Sequence, residues 1–115
     1  MADIFFIGRK KKFTLDEARE LLPAVRRVTE RAIKTIEEIR RNYVRNPAGK
    51  AAELEVQAAI GTWSEQIERL GCDSKGLWLV DFDNGGGYYC WRYPETNLNY
   101  FHSYDDGFGG RIPIN

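Results

Sequence analysis

Two stretches of this chain repeat their apolar residues every three or four positions, which is the spacing of one buried face of an α-helix. In the first stretch these positions are Leu15, Ala18, Leu22, Val25, Ala32, Ile36, Ile39 and Tyr43, with Thr29 in the one gap. In the second stretch they are Ala52, Val56, Ile60, Trp63, Ile67 and Leu70. The first pattern is also a heptad seam, which is typical of a coiled coil.

The residues around these stretches predict where the helices begin and end. Thr14-Leu15-Asp16-Glu17 is a capping box, in which Thr14 and Glu17 satisfy each other's backbone amides. Asn46-Pro47 ends the first helix, and Gly71 closes the second. The short connection makes the two helices antiparallel neighbours. Pro23 lies inside the first helix, where its ring clashes with the preceding turn, so we expect a kink there.

The last third of the chain is rich in aromatic and β-branched residues, and it predicts strands at 77–82, 88–93 and 98–104. The linker Asp83-Asn84-Gly85-Gly86-Gly87 separates the first two strands, and Pro94-Glu95-Thr96-Asn97 separates the next two. Short connections favour a three-stranded antiparallel meander. The glycine run leads into a strand, which excludes a phosphate loop, since such a loop leads into a helix.

These elements predict one α+β domain over residues 1–115. A long antiparallel helical hairpin (14–70), with its first helix kinked at Pro23, packs on a small three-stranded β-meander (77–104). An N-terminal arm (1–13) precedes the hairpin, with a short strand or extended segment at 4–7, and a Gly-rich tail (105–115) follows the sheet.

Composition narrows the class of protein. Hydrophobic residues make up 43% of the chain and charged residues 30%, which is a globular balance. The apolar run Ile4–Ile7 is too short for a signal peptide or a membrane span, so we expect a cytoplasmic protein with no membrane partner. In that compartment Cys72 and Cys90 are expected as thiols rather than as a disulfide.

Charge is divided unevenly along a chain whose net charge is zero. Residues 1–50 carry 13 Lys/Arg and 7 Asp/Glu, whereas residues 51–115 carry 4 and 10. The basic first helix can pair with the acidic second helix, and we favour this interpretation over nucleic-acid binding. Nucleic acid remains the weakest alternative, and it would use Arg26, Arg27, Arg31, Lys34, Arg40 and Arg41.

The best candidate for chemistry lies on the sheet. If Asp81 pairs with Cys90 and Cys90 with His102, the three form a row on one face, although slips of one residue are equally allowed. Carboxylate, thiolate and imidazole together suit a divalent transition metal such as zinc, and Asp105 or Asp106 could add a fourth ligand. There are two alternatives. Cys90 and His102 could form a nucleophilic site. The three residues could also have only structural roles, with Asp81 paired to Arg92 across the strands.

The tail offers a second candidate, in which Arg111 clamps a carboxylate or phosphate beside a glycine-rich turn. We favour the simpler interpretation, in which Arg111 pairs with Asp105 or Asp106.

Outside the helical seam, extra apolar residues predict a homodimer through a four-helix bundle; they are Leu21, Val28, Ile33, Leu54, Ala58 and Ala59.

Several ordered motifs resemble the bacterial family catalogued as domain of unknown function 2203, over about residues 13–115. They are Phe13-Thr14-Leu15-Asp16-Glu17-Ala18 with Leu21-Leu22-Pro23, Leu79-Val80-Asp81-Phe82, Cys90-Trp91-Arg92, Tyr100-Phe101-His102 and Asp106-Gly107-Phe108-Gly109-Gly110-Arg111-Ile112-Pro113. Trp78 stands where the resemblance leads us to expect glycine. The resemblance implies a fold and no activity.

The function is therefore left open by the sequence. Our first hypothesis is a small non-enzymatic protein that self-associates and binds another protein or ligand. The alternative is a metal-binding protein or metal-dependent enzyme with its site on the sheet.

Overall fold

A computed structural model describes residues 11–45 and 50–114 of the chain. The predicted arm segment at 4–7 and the turn at Asn46-Pro47 lie outside these residues. In chain order the elements are α1 (Leu15–Arg45), α2 (Ala51–Arg69), β1 (Asp73–Gly76), β2 (Leu79–Asp83), β3 (Tyr88–Arg92), β4 (Tyr100–His102), a 3-10 turn (Phe108–Gly110) and β5 (Ile112–Pro113). The architecture is thus α+β, as predicted.

The start of α1 confirms the capping box. The Thr14 amide donates to Glu17 Oε1 at 2.9 Å, and the Glu17 amide donates to Thr14 Oγ1 at 3.1 Å. These two bonds satisfy amides that have no partner within the helix. At the end of α2, Gly71 adopts φ +92°, the left-handed conformation that glycine takes after a helix.

Contacts between α1 and α2 have the order of an antiparallel pair. Tyr43 bonds to Glu55 near one end of the hairpin, and Trp63 Nε1 donates to Thr29 Oγ1 at 2.9 Å further along. Thr29, the polar gap in the apolar seam, is fully buried and donates in turn to the carbonyl of Val25. Its hydroxyl is therefore satisfied inside the core.

Pro23 lies within α1, which continues through it as one helix. The predicted kink at this residue stays a prediction.

The sheet corrects the prediction of three strands, because the described part of the chain contributes five, in the order β1-β2-β3-β4-β5 with antiparallel neighbours. The strand β1, Asp73-Ser74-Lys75-Gly76, has no apolar residue and therefore no alternation to reveal it. The strand β5 has two residues, and one of them is a proline. Both lie at edges of the sheet, where short, polar and proline-containing strands are normal.

The two faces of the sheet differ in character because side chains alternate along each strand. Val80, Phe82 and Trp91 point to one face and are fully buried in a core that includes residues of both helices. Asp81 and Cys90 point to the opposite face. We call the face with Val80, Phe82 and Trp91 the helix-side face, and the face with Asp81 and Cys90 the cleft-side face.

Two arginines attach α1 to the connection between β3 and β4. Arg19 donates to the carbonyl of Leu98 at 3.1 Å, and Arg26 donates to the carbonyl of Glu95. Both contacts are partly buried. They hold the first part of α1 against this connection.

At Trp78 the backbone adopts φ +61°, which favours glycine, and this matches the position where the resemblance leads us to expect glycine. The indole ring packs edge-on against Trp63, with ring centroids 5.0 Å apart. The segment entering α1 also joins the sheet, since the Phe13 amide donates to the carbonyl of Asp83 at 2.7 Å.

Within the described ranges, neither helix combines the length and the apolar character needed to cross a membrane.

Candidate metal centre

The cleft-side face brings together the three residues predicted as a row. Asp81 is directly opposite Cys90, as predicted. His102 is opposite Tyr88 instead of Cys90, which is opposite Tyr100. The register between β3 and β4 therefore differs by two residues from the predicted one, and a shift of two keeps His102 on the same face.

The three side chains form a compact, buried group. One ligand atom from each of Asp81, Cys90 and His102 lies within 4.8 Å of the other two. The exposed fraction is 1% for Asp81, 0% for Cys90 and 4% for His102. The closest contact joins His102 Nε2 to Asp81 Oδ2 at 3.0 Å.

The backbone fixes how the His102 ring is protonated. Nδ1 lies 2.8 Å from the carbonyl oxygen of Ser103, which can only accept, so Nδ1 carries a proton and donates it. In the neutral ring Nε2 then directs its lone pair towards Asp81. The 3.0 Å contact therefore holds one proton, carried either by the ring or by the carboxyl group.

Asp81 has one oxygen without a hydrogen bond. Oδ1 is buried and has no hydrogen-bond partner among the described residues. Burial raises the pKa of Asp81 above its ordinary value, although the His102 ring and the neighbouring Cys90 thiol each act to lower it. A buried carboxylate oxygen left unpaired costs about 1–3 kcal/mol or more, which a cation at this position would offset.

Cys90 is a thiol at neutral pH. Burial raises the pKa of Cys90 to about 12, and the Asp81 carboxylate adds to the increase, while Arg111 acts to lower it. A nucleophilic cysteine needs a lowered pKa, so this environment does not favour the nucleophile hypothesis. A bound metal ion would change the balance, because coordination displaces the proton from the sulfur.

Arg111 covers this group, and it pairs with a residue that the sequence did not single out. Its guanidinium makes two bonds to the Glu95 carboxylate, at 3.0 and 2.5 Å. It also stacks at 4.1 Å on the rings of Tyr100 and Phe108. The intramolecular pairing that we favoured is thus present, but its partner is Glu95 instead of Asp105 or Asp106.

Asp105 and Asp106, the predicted fourth ligands, lie outside the compact group. Both are exposed, and Asp106 accepts a bond from Ser103 Oγ at 2.9 Å. They line a cleft of about 350 Å³ whose walls also include Asp81 and His102. The cleft therefore connects solvent to the buried group.

Sequence reasoning missed the other residues of this cleft, which are Lys75, Leu79, Tyr88, Tyr104, Gly107 and Phe108. The alternation of β2 and β3 would have placed Tyr88 on this face, but Lys75 belongs to an unrecognised strand. A cleft of about 380 Å³ lies elsewhere, against Trp63 and Ser74, and its lining includes no Asp, Glu, His or Cys. Of these two clefts, the smaller one is lined by side chains that can bind a metal.

Asp83 holds one wall of the cleft in place. Its carboxylate accepts bonds from Lys12 Nζ at 2.7 Å, from Tyr104 Oη at 2.6 Å and from the Gly85 amide at 2.9 Å. Burial acts to raise the pKa of Asp83, but the bonds from Lys12 and Tyr104 outweigh it and leave the pKa below its ordinary value. Tyr104 also packs edge-on against Tyr88, at 5.1 Å between centroids.

The donor set fits a divalent transition metal. Zinc takes histidine nitrogen, cysteine sulfur and carboxylate oxygen at about 2.0–2.3 Å, and the three side chains are close enough to meet one ion after small movements. A histidine that binds metal through one nitrogen usually donates the other N–H to a carbonyl or carboxylate. The bond from His102 Nδ1 to Ser103 already provides this orientation.

Comparison with known proteins gives one match. The family described as "Uncharacterized conserved protein (DUF2203)" matches residues 11–114, nearly the whole chain. No curated protein and no solved structure matches the sequence.

Proposed function

For this chain, which belongs to the DUF2203 family, we propose a function in binding one divalent transition metal ion, with zinc as the best match, through Asp81, Cys90 and His102. The observation that carries the proposal is the buried Asp81 Oδ1, which has no hydrogen-bond partner among the described residues, inside a group of carboxylate, thiol and imidazole. A metal ion would give this oxygen a partner and would replace the shared proton between Asp81 and His102.

The surroundings support a cation at this position. Asp81 and Cys90 would each contribute a negative charge once deprotonated, which balances the two charges of the ion. Arg111 lies beside Cys90 and acts to lower the pKa of its thiol, but burial and Asp81 outweigh it, so the thiolate that a metal requires would form only as the ion displaces the proton. Glu95 holds Arg111 in that position.

The two cysteines of the chain provide a matched test. Both are fully buried, but Cys72 belongs to the hydrophobic core, whereas Cys90 belongs to the cluster with Asp81 and His102. We expect the wild type and Cys72→Ala to take up close to one zinc ion per chain. We expect Cys90→Ala and His102→Ala to bind zinc at least about 100-fold more weakly, since they lose a ligand and not merely an outer contact.

Metal content by mass spectrometry, followed by zinc titration against a competing chelator, measures this difference. Circular dichroism of each variant verifies that the fold is retained. Equal zinc affinity in the two cysteine variants would contradict the proposal, as would a wild type that takes up neither Zn²⁺ nor Co²⁺.

Self-association through the helical hairpin is a second candidate function. Two large apolar side chains near the same end of the hairpin are exposed, with 80% of Val44 and 69% of Leu54 accessible. The extra apolar surface is smaller than the sequence suggested, because Leu21 and Val28 pack against the core. Light scattering at several concentrations tests a dimer, which Leu54→Lys should weaken and Lys50→Ala should not.

A further inference from the structure

We propose that the metal bound at Asp81, Cys90 and His102 keeps one coordination position open towards the cleft. A small molecule that supplies a single nitrogen, oxygen or sulfur donor atom would take this position, and water would take it in the absence of such a molecule. The inference rests on the proposed function, and it adds that the site is of the exchangeable kind instead of a closed structural one.

The number of ligands is the first support. Structural zinc sites use four protein ligands, whereas sites that exchange a ligand use three and leave the fourth position open. Within residues 11–45 and 50–114, the group contains Asp81, Cys90 and His102 and no fourth His, Cys, Asp or Glu. The described part of the chain therefore provides three ligands.

The position of the cleft is the second support. Asp81 and His102 line it directly, so the approach from solvent leads to two of the three ligands. Its volume of about 350 Å³ is at the lower end of the range for small-molecule sites. A ligand entering from this side would approach Asp81 and His102 directly.

The walls of the cleft are held in position, which is the third support. Tyr88 packs against His102 at 5.4 Å and against Tyr104 at 5.1 Å between ring centroids. Tyr104 is tied to Asp83, and Lys75 lies 4.7 Å above the ring of Tyr88. The cleft is therefore preformed, and its rim offers charges of both signs through Lys75 and Asp105.

Asp106, one of the two predicted fourth ligands, is engaged in other contacts. Asp106 accepts from Ser103 Oγ, and its own amide lies 3.2 Å from the same hydroxyl oxygen. A Cβ atom added at Gly110 would lie 2.9 Å from Asp106 Cβ, so the 3-10 turn packs closely on this side chain. These contacts hold Asp106 in place away from the ion.

Cobalt substitution tests the inference, because the visible spectrum of Co²⁺ reports its ligands. We expect Co²⁺ to bind the wild type and its spectrum to shift in a saturable way when azide or imidazole is added. Asp105→Asn and Asp106→Asn should show the same starting spectrum as the wild type, because neither carboxylate belongs to the group of three ligands. If the cobalt spectrum does not respond to either probe, the site is closed and the inference is wrong, while the proposed function stands.

Failure of Co²⁺ and Zn²⁺ to bind at all would overturn the proposed function and the inference together. A changed starting spectrum in Asp105→Asn or Asp106→Asn, with no response to azide in the wild type, would identify that carboxylate as a fourth ligand. This outcome would also reject the open position.

Two glycines test the route through the cleft. Gly107 lines the cleft and Gly109 does not, and an added Cβ meets no atom within 4 Å at either one. We expect Gly107→Phe to weaken imidazole binding to the cobalt protein by at least about 10-fold, a difference of about 1.4 kcal/mol. Gly109→Phe should leave it unchanged. Equal imidazole affinities in the two variants would show that ligands do not reach the metal through this cleft.

Discussion

The helix-side face and the cleft-side face of the sheet both contain buried residues, but different interactions surround these residues. On the helix-side face, Val80, Phe82 and Trp91 pack into a core shared with the two helices. On the cleft-side face, Asp81, Cys90 and His102 are buried outside that core cluster, and Asp81 Oδ1 has no hydrogen bond among the described residues.

This difference indicates that the helix-side face stabilises the fold, whereas the cleft-side face is suited to binding a ligand. Apolar burial contributes to stability roughly in proportion to area, whereas a buried carboxylate contributes little unless it is fully paired. A residue that costs stability and has no complete set of partners is better explained by a ligand than by packing. The two faces should therefore respond in different ways to substitution.

The largest effect is expected on the helix-side face. Phe82 is fully buried and packs edge-on against Phe13, with centroids 5.5 Å apart. Phe82→Ala should lower the free energy of unfolding by about 3–5 kcal/mol, through lost burial and the cavity left behind. Urea denaturation of the metal-free protein measures this loss. Phe82→Leu fills much of the cavity and should cost clearly less, so equal losses would argue against packing as the cause.

A smaller effect is expected for Glu95, which holds Arg111 over the cleft-side face. Burial acts to raise the pKa of Glu95, but the bonds from Arg111 and the Arg92 amide outweigh it and leave the pKa below its ordinary value of 4.5. Glu95→Gln should lower the free energy of unfolding at pH 7 by about 1 kcal/mol, near the low end for charged hydrogen bonds because the pair is partly exposed.

The effect of Glu95→Gln should also depend on pH. Because the folded-state pKa is the lower one, the ion pair contributes fully above pH 4.5 and its contribution disappears as the pH falls through the folded-state pKa. The stabilities of wild type and variant should therefore converge in acid. Glu65→Gln, at an exposed position of α2, is the control. If the difference in unfolding free energy between wild type and Glu95→Gln stays constant with pH, the ion pair with Arg111 is not its cause.

The smallest effect on stability is expected for Asp81, although this residue matters most for the proposed metal. In the metal-free protein, Asp81→Asn removes a buried carboxylate and can donate an amide hydrogen to His102 Nε2. We expect the free energy of unfolding to fall by less than about 1 kcal/mol, or to rise. Zinc binding should be lost in the same variant.

Asp83→Asn is the comparison for that prediction, because Asp83 accepts three hydrogen bonds and should lose more stability on substitution. Thermal unfolding of both variants in the presence of a chelator gives the order. If Asp81→Asn is the more damaging of the two, Asp81 has a structural role that needs no metal.

Much of the fold could be predicted where local rules decide. Thr14 and Glu17 have the spacing of a capping box, and both bonds are present. The five-residue linker after Phe82 allowed Asp81 to be paired with Cys90, and the structure has that pairing. These features depend on residues near each other in sequence or across one short turn.

Other features could not be predicted because distant or weakly patterned segments decide them. The strand β1 consists of polar residues and glycine, and it is defined by its pairing with β2. Arg111 has two aspartates nearby in sequence, but β4 and the following turn bring it to Glu95, 16 residues away. The types of its three residues were therefore enough to predict the proposed site. The sequence did not predict the position of Arg111 over the site or the cleft that leads to it.

The bonds to Asp83 have a consequence for the order in which this protein can be completed during synthesis. Lys12 leaves the ribosome before its carboxylate partner, which is 71 residues further along, and Tyr104 follows after another 21. Because chains emerge from the amino end, α1 can form before β2 has been made. The segment before α1 then has no β2 residue to bond with. One wall of the cleft is complete only after Tyr104 has been made, so a product that stops before Tyr104 would contain both helices and lack this wall of the proposed site.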